Sequence, residues 1–178
     1  YILIGTGQLL ADSDMSSTDT QSFYAIVDGT ASSFFTTSTL PSGYTFPLTR
    51  KDLQEVKSLD NGVSNVVMGW YLDLRMATDP ASDPAYRVTI MPVPIYGYLA
   101  FAANQPSNDP CVPGGKGRLY VLSLSDGKSL YLDSSNSMYV DVADKSIDGQ
   151  RQLIVTNAEG KVITNNNIPD RKSTRLNS

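Results

Sequence analysis

Histidine is absent from the 178 residues of this chain, and cysteine and tryptophan occur once each. Without histidine the chain cannot build Ser-His-Asp or Cys-His nucleophile systems, histidine-ligated metal sites or the commonest general base. Its single cysteine, Cys111, cannot form an internal disulfide and therefore gives no information on the redox compartment. These absences exclude most classes of enzyme, and we expect a protein that is not an enzyme.

Long apolar stretches and basic clusters are also missing. No segment approaches the roughly 20 apolar residues that a membrane-spanning helix needs, so we expect no transmembrane segment. The net charge is -4 and no basic run is present, so nucleic acid is not an expected partner. The apolar fraction of 40% and the charged fraction of 18% are typical of a folded domain. The abundance of Ser, Thr, Asn, Asp, Gly and Tyr favours an exported protein.

The two ends of the sequence predict a fragment. The opening "YILIGTG" is typical of the middle of a strand, and no signal peptide precedes it. The last nine residues, "DRKSTRLNS" (170–178), have no strand pattern, and their back-translation reproduces a common sequencing-adapter read. We therefore expect one partial domain over residues 1–169, truncated at both ends, followed by a non-native adapter translation at 170–178.

Short segments rich in β-branched and aromatic residues recur along the chain and predict strands. They lie at residues 1–4, 22–27, 66–74, 86–93, 95–103, 118–124, 137–142, 152–156 and 161–164. Turn-forming dipeptides separate them: Asp28-Gly29, Asn61-Gly62, Asp126-Gly127 and Glu159-Gly160. Strands at this spacing without helices between them predict an antiparallel all-β architecture.

One segment departs from the strand pattern. "TRKDLQEVKSL" (49–59) places Leu53, Val56 and Leu59 on one helical face. Thr49 and Asp52 have the spacing of a capping box. The pattern predicts one short helix inserted between strands.

The glycine-rich stretch "NDPCVPGGKGRLYVLSLSDGK" (108–128) raises four chemical alternatives, namely a redox centre, a phosphate cradle, a nucleophile site or a turn. It lacks the third glycine of a dinucleotide-binding motif, and Leu122 stands where a P-loop needs its first glycine. Ser125 and Lys128 have the spacing of a serine acylase, but the Asp126-Gly127 turn signal lies between them. We therefore interpret the stretch as a turn, a strand and a second turn.

Acidic groups offer the remaining chemistry. Three residues copy the first ligand positions of a calcium loop: Asp12, Asp14 and Ser16. However, Ser17 replaces the turning glycine of that loop, and Phe23 replaces its bidentate glutamate. A second group is spaced too irregularly for such a loop: Asp141, Asp144 and Asp148. We interpret both groups as solvated loops, and Cys111 as a structural residue, either free or bonded beyond this segment.

Several motifs in a fixed order resemble a known family. They are "GTGQLL" (5–10), "QSFYAIVD" (21–28), "TRKDL" (49–53), "GWYLDL" (69–74), an arginine before a strand (87), and "DPCVPGGKGRLYVLSLSDG" (109–127). In this order they resemble the C-terminal β-propeller domain of the PilY/PilC family of type IV pilus tip-associated adhesins and biogenesis factors. The resemblance covers residues 2–130. The matching positions are Gly5, Thr6, Gly7, Gln21, Tyr24, Asp28, Gly69, Trp70, Leu72, Asp73, Leu74, Arg87, Asp109, Cys111, Gly114, Gly115, Tyr120 and Gly127.

The resemblance implies that these positions belong to the framework of the fold and are not catalytic. It also implies an incomplete β-propeller with quinoprotein-like blades, in which about ten strands make two to three blades of four. Two segments, "GTGQLL…QSFYAIVDG" and "GGKGRLYVLSLSDG", share a pattern of a G-x-G turn, an aromatic-centred strand and Asp-Gly, which agrees with such a repeat. Four aromatic residues are then expected to pack between blades: Trp70, Tyr71, Tyr96 and Tyr98.

The implied function is pilus biogenesis and adhesion at the cell surface, the pilus tip or the outer membrane. The implied partners are type IV pilus components and host or abiotic surfaces. Family members bind calcium through a loop of alternating Asp and Asn that this sequence lacks, so calcium is implied for the full-length protein without a site that can be assigned here. Two alternatives remain: a quinoprotein-type propeller dehydrogenase, which needs paired cysteines and several tryptophans, and a periplasmic scaffold propeller, which would lack the "DPC…GGKG" segment.

Overall fold

Strands dominate the computed structural model, which describes residues 1–7, 9–107, 115–130, 140–147, 150–157 and 162–167. The all-β class that the sequence predicts is confirmed, because helical structure in these residues amounts to two short turns. The predicted tail at 170–178, the Glu159-Gly160 turn and Cys111 lie outside the described residues.

The first sheet has four strands in the order β1-β2-β4-β3. They are β1 (Ile2–Gly5), β2 (Ser22–Ile26), β3 (Gln54–Glu55) and β4 (Gly69–Asp73). A short helix, α1 (Asp12–Ser16), lies between β1 and β2. β2 pairs antiparallel with both β1 and β4, whereas β3 runs parallel to β4, which differs from the all-antiparallel expectation.

The second sheet is an antiparallel meander of six strands in the order β10-β9-β8-β7-β6-β5. They are β5 (Val93–Ile95), β6 (Tyr98–Gln105), β7 (Lys116–Ser123), β8 (Val140–Ile147), β9 (Gln150–Asn157) and β10 (Val162–Asn167). Each strand pairs antiparallel with its sequence neighbour. The strand predicted at 86–93 is wrong for most of its length, because residues 86–92 contribute only an isolated bridge between Arg87 and Asn104.

The core lies between the two sheets. Alternation along β2 and β4 turns Phe23 and Trp70 toward the second sheet, and both side chains are fully buried. The Phe23 ring stacks on Phe101 of β6 with centroids 4.1 Å apart, and Phe101 stacks on Tyr120 of β7 at 4.8 Å. This aromatic stack joins the sheets face to face, together with the buried aliphatic residues Leu72, Leu74, Leu99 and Leu122.

The helix predicted over residues 49–59 is wrong. Its capping box forms, with the Thr49 backbone N–H donating to Asp52 Oδ2 at 2.7 Å, but it closes only a single 3₁₀ turn, Arg50–Asp52. The chain then becomes extended as β3, and the Val56 N–H donates to the Tyr71 carbonyl at 2.8 Å. Pairing with β4 and burial of Val56 in the core replace the helix, because tertiary contacts outweigh local propensity in so short a segment.

Candidate recognition surface

The structure places the family-motif residues in several separate environments. Eight of the eleven principal positions fall in described segments: Gly5, Gly7, Gln21, Tyr24, Trp70, Asp73, Gly115 and Tyr120. The other three lie outside the described residues: Asp109, Cys111 and Gly114. The eight do not converge on one site. Gln21 directly precedes β2, and its carbonyl accepts the Leu74 N–H at 2.9 Å. Gly115 has a φ of +59° and lies against the Gln105 carbonyl.

Gly5 and Gly7 lie where the end of β1 approaches residues 87–88. A Cβ on Gly5 would overlap the Val88 side chain, and a Cβ on Gly7, at φ +110°, would lie 2.6 Å from Arg87 Cβ. The Val88 N–H donates to the Thr6 carbonyl at 3.0 Å. This close approach of two backbone segments requires glycine.

Tyr24 and Asp73 belong to a polar cluster on the outer face of the first sheet, centred on Arg50. Arg50 Nη2 donates to both Asp73 carboxylate oxygens at 2.7 Å. Arg50 Nη1 donates to Ser22 Oγ at 2.9 Å and to Tyr24 Oη at 3.1 Å. The guanidinium also lies over the Tyr71 ring, 3.9 Å from its centroid. This arrangement fastens the 3₁₀ turn to the sheet through charge-assisted hydrogen bonds and a cation–π contact.

The side chains of this cluster satisfy one another, because Arg50, Ser22 and Asp73 form a closed network of hydrogen bonds. Burial lowers the pKa of Arg50, but the hydrogen bonds to Asp73 and Tyr24 outweigh burial, so the pKa lies above its ordinary value. Ser22 Oγ donates to Asp73 Oδ1 at 2.6 Å and thereby completes the ring of hydrogen bonds. The cluster therefore pairs the permanently charged Arg50 guanidinium with the Asp73 carboxylate.

Trp70 and Tyr120 lie in the core. Trp70 is fully buried, and its Nε1–H donates to the Leu124 carbonyl at 2.9 Å, which links the first sheet to the residues after β7. The predicted Asp126-Gly127 turn is confirmed, with the Lys128 N–H donating to Asp126 Oδ1 at 3.1 Å. Gly127 packs against the indole, since a Cβ there would lie 3.2 Å from two ring atoms. The second half of the stretch at 108–128 is thus a strand and a turn that cover Trp70.

The sequence patterns did not predict the buried ion pair between Arg118 and Asp79. Arg118 of β7 is 2% exposed in its side chain, and it donates two hydrogen bonds of 2.9 Å to the Asp79 carboxylate. Its guanidinium lies 4.1 Å from the Tyr86 ring centroid. Arg75 holds the same loop by donating to the carbonyls of Pro80 and Asp83 at 2.6 and 2.9 Å.

One sequence signal could have revealed this ion pair. Arg118 occupies a core-facing position, in step with the buried Tyr120 and Leu122 of the same strand. A charged residue at a core-facing position of a strand needs a buried partner of opposite charge.

An apolar surface lies on the hairpin formed by β5 and β6 and on the residues just before it. We call it the exposed hairpin surface and define it as Ile90, Met91, Val93, Ile95, Tyr96 and Tyr98. Met91 is 85% exposed and Tyr96 is 100% exposed. Of the four aromatic residues expected to pack between blades, Trp70 is buried between the two sheets, Tyr71 lies against Arg50, and Tyr96 and Tyr98 do not pack between these two sheets.

The turn of this hairpin has a defined geometry. Tyr96 and Gly97 connect the paired residues Ile95 and Tyr98, and both have positive φ, 45° and 85°. Positive φ at both central residues is typical of a type I′ turn, for which tyrosine is an unfavourable choice. The Leu124 N–H donates to the Gly97 carbonyl at 2.9 Å and anchors the turn to the end of β7. This anchored turn presents a fully exposed aromatic ring.

The first group of residues considered as calcium ligands lies in a short helix and not in the solvated loop that the sequence predicts. Asp12, Asp14 and Ser16 lie in α1, and Asp14 Oδ2 accepts the backbone N–H groups of Leu10 and Ala11 at 2.9 and 3.0 Å. These hydrogen bonds lower the pKa of Asp14. Asp148 and the side chains of Asp141 and Asp144 lie outside what the structure describes. Within the described segments, no three His, Cys, Asp or Glu residues are grouped so that they could hold a metal ion.

Comparison with models of known families, with curated proteins and with solved structures finds no match for this chain. Among the described residues, no helix has the length and apolar character needed to cross a membrane.

Proposed function

We propose that this chain is a non-enzymatic recognition module of a pilus-associated adhesin of the PilY/PilC type. The ordered motifs from "GTGQLL" to "DPCVPGGKGRLYVLSLSDG" support the family, and the exposed hairpin surface carries the function. Apolar and aromatic side chains gathered on one hairpin are typical of contact sites, because a protein otherwise exposes few contiguous apolar groups.

The backbone at Tyr96 strengthens this proposal. A left-handed conformation at a residue other than glycine costs on the order of 1 kcal/mol, and such strain is concentrated at functional positions. Tyr96 gains no burial in return, since it is 100% exposed. The edge strand also contains Pro94, which lacks an N–H and disfavours pairing with another strand. Recognition here therefore uses side chains and not strand addition.

We further infer that the two sheets are blades of an incomplete β-propeller. The strands described between residues 2 and 73 form one sheet and those between residues 93 and 167 form the next, and an aromatic stack joins the two face to face, as consecutive blades pack. The second sheet has six strands where a blade has four. The full-length protein should then show a closed ring in single-particle electron microscopy. Two sheets sandwiched in isolation would contradict the propeller.

The function is tested in the organism that carries the gene. Deletion should abolish surface pili, twitching and pilus-dependent adhesion. Complementation with the full-length gene carrying Met91→Ser and Tyr96→Ser should restore pili but not adhesion. Leu10→Ser, which removes an apolar side chain that is 84% exposed elsewhere, serves as the matched control and should restore both.

Three results would reject parts of this proposal. Normal pili and adhesion in a deletion strain without a related gene would exclude the pilus function. Full adhesion in the double variant would exclude the exposed hairpin surface as the contact site. Loss of a quinone-dependent alcohol or sugar oxidation on deletion would favour the dehydrogenase alternative instead.

A further inference from the structure

The Asn61-Gly62 dipeptide forms the turn that the sequence predicts at this position. The Gly62 N–H donates to the Ser58 carbonyl at 2.9 Å, and Gly62 has a φ of +63°. Asn61 is exposed, and its Nδ2 donates to Ser58 Oγ at 3.3 Å. An asparagine side chain thus stands directly before a backbone nitrogen that no neighbouring Cβ shields, because glycine has none.

A second turn holds the first one in place. The two are called the turn pair and comprise residues 58–63 and 126–129. The Val63 N–H donates to the Asp126 carbonyl at 2.9 Å, and the Ser129 N–H donates to the Leu59 carbonyl at 2.7 Å. A Cβ on Gly62 would lie only 2.8 Å from the Asp126 carbonyl oxygen. The turn pair therefore fixes the backbone on both sides of Asn61.

The turn pair also covers part of the core. The Leu59 side chain is 5% exposed and anchors the first turn in the core. Gly127 of the second turn lies directly against the Trp70 indole, which is fully buried. Separation of the two turns would therefore admit water to this tryptophan.

An asparagine followed by glycine can react with its own backbone, and Asn61-Gly62 is the one Asn-Gly dipeptide in the sequence. The Gly62 nitrogen loses its proton to water or hydroxide and attacks Cγ of Asn61. The bond between Cγ and Nδ2 of Asn61 breaks, and the nitrogen takes up protons and leaves as ammonia. The five-membered succinimide that results adds one water molecule and opens to aspartate or isoaspartate. Water is the co-reactant, and nothing is oxidised or reduced.

The folded turn holds both reacting groups back. The Gly62 nitrogen has to give up the proton that it donates to the Ser58 carbonyl, and the Asn61 amide has to leave Ser58 Oγ. Ring closure also requires Gly62 to move, and the Asp126 carbonyl lies against it. The reaction therefore proceeds from a locally opened state of the turn pair.

We propose that Asn61 is a site of spontaneous deamidation, that opening of the turn pair sets its rate, and that isoaspartate at this position releases the turn pair from Trp70. Isoaspartate adds one carbon to the backbone before Gly62. The Val63 N–H then loses its position opposite the Asp126 carbonyl. This inference does not depend on the function proposed for the exposed hairpin surface.

Mass spectrometry of the tryptic peptide 58–75 measures the rate after incubation in mildly alkaline buffer. Asn65 lies in the same peptide and serves as an internal reference, because valine follows it. We expect Asn61 to react at least about tenfold more slowly in the folded protein than in a synthetic peptide of the same residues. Equal rates in the protein and the peptide would overturn the proposal.

Two matched variants test the control by local opening. Leu59→Ala removes the anchor of the first turn and should bring the rate close to that of the peptide. Leu74→Ala removes an equally buried leucine at the far end of β4 and should leave the rate near that of the unaltered protein. Leu59→Val replaces Leu59→Ala if circular dichroism shows that the latter does not fold. Equal acceleration in both variants would contradict control by the turn pair.

Trp70 fluorescence tests the release of the turn pair. Asn61→Gln blocks the reaction, because glutamine would have to close a larger ring. After prolonged incubation, the isoaspartate form of the unaltered protein, separated by ion exchange, should show red-shifted Trp70 emission. The Asn61→Gln protein, incubated in the same way, should keep its original emission. An isoaspartate form with unshifted emission would refute the release.

Discussion

The Arg118–Asp79 ion pair allows a sharp test of what holds the loop before β5 to the second sheet. Asp79→Ala removes the acceptor of two 2.9 Å hydrogen bonds and leaves a guanidinium that is 2% exposed without that carboxylate. Breaking a buried pair from one side costs about 3–5 kcal/mol of unfolding free energy. The whole domain is stabilised by roughly 5–15 kcal/mol, so the loss should be large.

The opposite substitution should cost less. Arg118→Met keeps most of the side-chain volume, and the Asp79 carboxylate, 11% exposed, still accepts the Met76 N–H at 2.7 Å. We expect a loss of about 1–3 kcal/mol. The double variant leaves neither charge buried alone, so it should be more stable than the sum of the single effects by about 2 kcal/mol.

Urea unfolding followed by fluorescence measures these differences. Trp70 is the chain's one tryptophan and is fully buried, so its emission reports on the core. Asp79→Asn, which keeps the shape and one acceptor, replaces Asp79→Ala if the latter does not fold. The control is Glu55→Gln, because the Glu55–Lys57 pair spans 3.9 Å and Lys57 is 80% exposed; it should cost less than about 0.5 kcal/mol. An Asp79→Ala cost no larger than the control, or strictly additive effects, would refute this reasoning.

Three further predictions concern the same fold. Burial raises the pKa of Asp79, but hydrogen bonds from Arg118 and from the Met76 N–H outweigh burial and hold that pKa below its ordinary value. Its contribution to stability is therefore complete above about pH 4 and is lost as the pH falls below that value; Asp79→Asn should show a shallower acid loss in urea titrations at pH 2–5. Gly127→Ala places a methyl group 2.6 Å from Val56 Cγ2 at a φ of +69°, and should lower the unfolding free energy by about 2 kcal/mol in urea titrations; an unchanged midpoint would contradict that packing. Trp70→Phe opens a cavity and removes the bond to the Leu124 carbonyl, so it should cost about 2–4 kcal/mol by circular dichroism, and a loss under 1 kcal/mol would show that the indole is not central to the core.

Local sequence patterns determined a large part of the secondary structure. The strands β1, β2, β4, β6 and β7 fall within or overlap the predicted segments, because alternation with a period of two is a property of a single strand. The Asp126-Gly127 turn and the Thr49–Asp52 capping box form for the same reason, since both depend on residues within three positions of one another.

Only the tertiary structure decided the remaining features. Residues 54–55 pair with β4 although the preceding capping box favours a helix. The hydrogen bonds of this pairing come from a strand that is distant in sequence, so no local pattern encodes them. The Arg118–Asp79 pair joins residues 39 positions apart. Tyr96 is exposed while Trp70, of similar predicted role, is buried. In each case the outcome depends on which distant surface meets the residue, and that is set by how the two sheets pack and not by the pattern along one strand.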